Sequence, residues 1–138
     1  MVTAVLRISA VRILDASGRI LLVRKRGTGL FMQPGGKLER GETPAGAAAR
    51  ELGEELGMTV AAAELEPLGH WLGPAANEPD TLIDSHLFAA PLRGLPQAAA
   101  ELEELLWIDP AQALLRDDIA PLLREHVLPE LLAARASG

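Results

Sequence analysis

The sequence predicts an α/β fold in which a mixed β-sheet packs against helices. Runs of β-branched and aliphatic residues stand both before and after one strongly helical stretch, residues 45–56, and a second helical stretch closes the chain. With 138 residues, 49% of them hydrophobic and 23% charged, the chain suits one domain spanning 1–138 with its own core and is too short for two.

The elements follow in order. From Val2 to Leu14 the residues favour a strand, "DASG" (Asp15 to Gly18) supplies turn chemistry, and "RILLVRKR" reads as a second strand, so a hairpin is expected. Glycines and Pro34 make "GTGLFMQPGGKLERG" a loop with a short strand at its centre. Thr43 is placed to cap a helix, Pro44 suits its first position, and Gly57 suits its end. Beyond it, "AAELEPLGHWL" and "TLIDSHLFAAPL" read as strands around the loop "GPAANEPD", and "LLWID" as another. A C-terminal helix is expected from Asp118 to Ala134, kinked or divided at Pro129.

Composition excludes several classes of function. There are no cysteines, hence no disulfide framework and no thiolate metal site. Thirteen basic against nineteen acidic residues give a charge of −6, which argues against non-specific binding of a nucleic acid polymer. Arg7, Arg12 and Asp15 interrupt the apolar N-terminal run before a signal core or membrane span could form, so a cytoplasmic location is the default expectation. That apolar strand is compatible with a homodimer and equally with burial in one subunit.

The informative feature is acidic crowding. Glu51, Glu54 and Glu55, at i, i+3, i+4, project from one side of the expected helix. Clustered carboxylates repel unless a cation joins them, and hard ions such as Mg²⁺ or Mn²⁺ take oxygen ligands. A solvated acidic face is the plainer explanation. Against it, Arg50 precedes Glu54 in the weaker orientation for a helix ion pair, and the carboxylates sit in the half of the helix that the macrodipole disfavours for anions.

From Gly36 to Met58 the chain meets the spacing G-x5-E-x7-R-E-U-x-E-E-x-G-U without a departure, and so resembles the box of the Nudix hydrolases. The resemblance implies an αβα sandwich with a loop-helix-loop metal site and water-driven cleavage of a pyrophosphate bond. Carried over by position, Glu51, Glu54 and Glu55 would be metal ligands, the Gly36 carbonyl another, and Glu42 with Arg50 an ion pair orienting the ligand helix. Gly35 and Gly36 would let the backbone approach phosphate or metal. A general base in this family often comes from a later loop. Glu101 is the first choice and Glu104 the second, Glu103 lying between them.

Arg24 and Arg26 share one face of the second strand while Lys25 points the other way, and the two arginines are candidates for phosphate contact. Lys37, inside the box, has a stronger claim; Phe31, an aromatic beside "QPGG", is a candidate for substrate contact that would otherwise pack under the loop. "PGGKLERGET" is similar to the box of the nucleoside-triphosphate branch, which includes enzymes acting on oxidised nucleotides. The expected reaction is a nucleoside triphosphate giving monophosphate and pyrophosphate. Pro74, sixteen positions after the box, resembles a proline of the family's ADP-ribose branch and keeps ADP-ribose as an alternative; a dinucleoside polyphosphate is another, and a non-catalytic nucleotide sensor is the alternative of another class.

Overall fold

The computed structural model describes residues 4–137, so Val2 and Thr3 of the expected first strand lie outside the described residues. Six strands form: β1 (Ala4–Ile13), β2 (Ile20–Lys25), β3 (Gly35–Lys37), β4 (Glu66–Pro74), β5 (Thr81–Ala90) and β6 (Leu102–Ile108). The helices are α1 (Pro44–Leu56), the short α2 (Pro110–Ala113) and α3 (Leu128–Ser137). The strands make a mixed four-stranded sheet in the order β3-β1-β5-β4, with β1 and β5 parallel, and a separate antiparallel pair β2-β6.

The expected hairpin is corrected by this topology. Its turn exists: the Asp15 N–H donates to the Arg19 carbonyl at 3.0 Å, and Leu14 bridges Ile20. Beyond that bridge the strands part, because β3 and β5 occupy both edges of β1 and leave no hydrogen-bonding side for β2. The segment at 62–72 is also revised, since Ala62–Glu64 forms a 3₁₀ turn before β4 begins. In turn β6 starts at Leu102, which puts Glu103 and Glu104 on a strand.

Core packs on both faces of the main sheet. Val11, Ile13 and Phe88 meet Ala48, Leu52 and Leu56 of α1, while Ala10 and Leu87 share the other cluster with Leu123, Leu128 and Leu131. Strand β2 serves both, sending Leu21 and Val23 to the first and Ile20 and Leu22 to the second.

Helix α1 begins and ends as its sequence dictates. The Gly46 N–H donates to the Thr43 hydroxyl at 3.0 Å, and Gly57 takes the left-handed conformation, φ 68°, that closes the last turn. The C-terminal helix is shorter at its start than expected. Asp118 and Ala120 are engaged through their backbones with Phe31, so helix begins only at Pro121. Pro129 does not divide it: a wide π-turn, Leu123–Val127, precedes α3 and absorbs the missing N–H and the bulk of the ring.

Candidate active site

The second half of α1 faces the short strand β3, and the two are fitted by glycine. A Cβ on Gly36 would sit 2.6 Å from Glu51 Oε1, and one on Gly35, whose φ is +142°, would sit 2.0 Å from the Ser9 carbonyl oxygen. At Gly35 only a residue without a side chain allows this approach, and at Gly36 a side chain would push the Glu51 carboxylate aside. Glu55 turns inward, 2% exposed, and accepts the Gly35 N–H at 2.9 Å. The Ser9 hydroxyl donates to the Pro44 carbonyl at 2.6 Å and ties β1 to the start of the helix.

Arg50 organises the remaining carboxylates. Its Nε and Nη2 donate to both oxygens of Glu42 at 2.7 and 2.8 Å, and Nη1 donates to Glu51 at 2.9 Å and to Glu54 at 3.2 Å. Nη2 also donates to the Lys37 carbonyl at 3.1 Å, fixing the loop to the helix. These bonds, with the Glu39 N–H, hold the Glu42 carboxyl down to about 2.

Alongside lies a cleft of about 530 Å³. Leu6, Ile8, Ile83 and Leu122 give it apolar walls, and of the candidates Gly35, Gly36, Lys37, Arg50, Glu51, Glu54 and Glu101 all line it. Glu55 lies behind them against Gly35. Glu42 reaches the cleft only through Arg50, and Arg24, Arg26, Glu104 and Phe31 are elsewhere. Arg24 is bound to Glu104 and the Thr28 carbonyl, Arg26 to Glu103, and Phe31 is 3% exposed in the core with the Arg116 guanidinium 5.3 Å over its ring. The strand's alternation explains the first two: Lys25, on the opposite face from the arginines, lines the cleft with its ammonium 3.2 Å from Glu101. Gln33 was also not anticipated; it is 5% exposed, lines the cleft, and its Oε1 has no hydrogen-bond partner. Its only sequence signal was a polar residue in an apolar stretch.

The model of the NUDIX domain family matches residues 4–131. The chain belongs to the Nudix family. The MutT-like protein of Streptomyces ambofaciens is 30% identical over 117 residues, covering 85% of this chain and 68% of that protein. An octanoyltransferase of Myxococcus xanthus is 37% identical over 102 residues, 71% of this chain, and the match spans only 28% of that protein's length. The crystal structure of the MutT protein from Methanosarcina mazei Go1 superposes with a TM-score of 0.81 over 96% of each chain at 18% identity, a likeness of fold. The Nudix fold, a mixed sheet with helices, follows from this membership, and the family's hydrolases act on pyrophosphate bonds of nucleotide derivatives.

Nudix hydrolases generally depend on a divalent metal, and the donor set here fits one: every group is a carboxylate or carbonyl oxygen, the ligand type a hard ion takes. Burial pushes the Glu55 carboxyl up to about 8, against the pull of the Gly35 N–H, and the Glu51 and Glu101 charges add to the rise. Burial likewise raises Glu51 despite its bond to Arg50. Burial is the first cause of both rises, and the charge of a neighbouring glutamate adds to each. Among the described residues no three such groups converge on one point ready for an ion. Glu54, with 54% of its side chain exposed, is the most open of the three.

Proposed function

We propose that this Nudix hydrolase converts a nucleoside triphosphate to the monophosphate and pyrophosphate, with Mg²⁺ or Mn²⁺ held by Glu51, Glu54, Glu55 and the Gly36 carbonyl. The observation that carries this reading is that Arg50 binds Glu42, Glu51 and Glu54 on the wall of a cleft also lined by Lys25 and Lys37. Cations and carboxylates on one wall suit a substrate that brings phosphates and needs a metal.

A divalent ion there supplies charge neutralisation on the phosphate oxygens and acidity for the attacking water. This chain's residues do the rest. Arg50, itself on the cleft wall, keeps Glu51 in place and fixes the loop through the Lys37 carbonyl. Glu54, the most exposed of the three, would hold the ion together with Glu51 and Glu55. Glu101 takes the proton of the water that attacks phosphorus, and the pyrophosphate departs as its P–O bond breaks. Lys25, released from Glu101 as that carboxylate is protonated, is free to meet the phosphates. Apolar walls from Leu6, Ile8 and Ile83 accommodate the nucleoside.

ADP-ribose is the second reading, supported by Pro74 on the cleft wall, and a dinucleoside polyphosphate is a further substrate of the same chemistry to be tested beside it. A panel of these nucleotides, assayed with Mg²⁺ and with chelator, separates them by product. Glu54→Gln is expected to lower kcat about a hundredfold or more, with the fold retained by circular dichroism. Unaltered turnover would overturn the ligand assignment, and failure to hydrolyse any diphosphate-linked compound would favour a nucleotide sensor.

A further inference from the structure

A second depression of about 370 Å³ lies beside the cleft, bordered by Val5, Arg7, Lys37, Arg40 and the turn from Glu39 to Glu42. The charges around it are unusual for this molecule. In an acidic protein most basic side chains are already paired, as Arg19 is with Asp15 and Arg93 with Glu64. Arg7, Lys37 and Arg40 make no ion pair or side-chain hydrogen bond among the described residues, and of the other basic side chains only Arg12 shares that condition. Three unpartnered cations around one depression repel each other, and an anion placed between them relieves that repulsion.

The acidic neighbours do not neutralise them. Glu42 is bound by Arg50 at 2.7 Å, and Glu39 stands 3.6 Å from the same guanidinium. The backbone beneath is fixed as well. The Leu38 N–H donates to the Arg7 carbonyl at 3.1 Å, the Glu39 N–H to Glu42 Oε1 at 2.7 Å, and the Glu42 N–H to the Glu39 carbonyl at 3.0 Å. Arg40 is therefore carried on a rigid turn, which lowers the entropic cost of holding a ligand. Leu6, Lys37 and Glu39 border both this depression and the cleft, so the two adjoin at the Lys37 end of β3.

We infer that Arg7, Lys37 and Arg40 form a phosphate subsite that takes the terminal phosphates of the substrate. The assignment rests on the proposed cleavage site at Glu51 and extends it: the scissile linkage lies on one side of Lys37, and the end of the phosphate chain lies on the other. The ligand class is a linear polyphosphate terminus, and a substrate lacking one gains nothing from the subsite.

Two measurements test this. Inorganic tripolyphosphate, titrated into the full chain with Mg²⁺ and again with EDTA, is expected to shift the amide resonances of residues 5–7 and 37–42 in both conditions. Arg7→Gln combined with Arg40→Gln is expected to weaken that binding about tenfold. The same double variant is expected to raise KM for a nucleoside triphosphate about tenfold, with kcat within about twofold and KM for the matching diphosphate unchanged. Absence of the shifts in EDTA, or an equal rise in both KM values, would overturn the subsite. The titration needs no turnover, so a chain that hydrolyses no nucleotide but shows the shifts refutes the proposed reaction and leaves the phosphate site standing.

Discussion

Arg50 carries more of the site than any carboxylate does, because one planar fork meets Glu42 with two bonds, Glu51 and Glu54 with one each, and the Lys37 carbonyl with another. A lysine could satisfy one of these directions at a time. Arg50→Lys is therefore expected to lower kcat at least about tenfold through loss of ligand orientation, with a higher Mg²⁺ concentration needed for half-maximal activity. An unchanged metal requirement would show that Arg50 has no part in arranging the ligands. This residue and its partners were legible in the sequence because the box fixes types at set spacings along a loop and a helix. Lys25 was not: alternation separates it from Arg24 and Arg26, but nothing local says which face of β2 meets the cleft, and a register shift between Arg24 and Lys25 adds to the ambiguity. Phe31, open in the sequence to substrate contact or to packing under the loop, packs in the core, and the backbone bonds from Phe31 to Asp118 and Ala120 that draw it there come from the far end of the chain.

Helix α1 is the element whose position sets the site, and its ends are local chemistry. The Thr43 cap satisfies the Gly46 N–H, and Gly57 closes the other end in the left-handed region. Thr43→Ala is expected to cost about 1 kcal/mol of stability, measured by urea denaturation, and to leave the metal requirement unchanged because Ser9 and Arg50 still hold the helix against β1 and the loop. A loss well below that value would mean the cap is replaced by solvent. These caps could be read from a few adjacent residues. The pairing of β1 could not, since turn chemistry at Asp15 to Gly18 signals a reversal of the chain but not which strands take the two edges beyond it. The late start of the C-terminal helix was hidden for the same reason: Asp118 and Ala120 give their backbone groups to Phe31.

For the whole molecule, two carboxyls in the site set opposite trends with pH. Glu42 is held near 2 against an ordinary 4.5, so the folded chain has released a proton that the unfolded chain keeps, and stability grows as pH rises through that interval. Glu55 is raised to about 8, so the folded chain keeps a proton that the unfolded chain has lost, and stability falls as pH rises from 4.5 towards 8. With chelator present, Tm is expected to decline across that second interval. Mg²⁺ competes with the proton on Glu55, so its stabilisation is expected to be greater at pH 8 than at pH 5.5, reaching about 2.7 kcal/mol when the ion is at a hundred times its Kd. Thermal melts in EDTA and in Mg²⁺ across this range check both, and Glu55→Gln is expected to flatten the decline; a Tm indifferent to Mg²⁺ at pH 8 would count against a cation at these carboxylates.

The parallel neighbour of β1 sets Ala4 opposite Thr81 and Ile13 opposite Ala90. A growing polypeptide must therefore extend through Thr81–Ala90 before β1 can find the partner on that side, and the exposed edge waits in the meantime. The box and its helix are finished long before then, yet have no sheet to rest on. A piece cut from this protein to keep only the acidic loop and helix would carry Glu51, Glu54 and Glu55 and hold none of them in place.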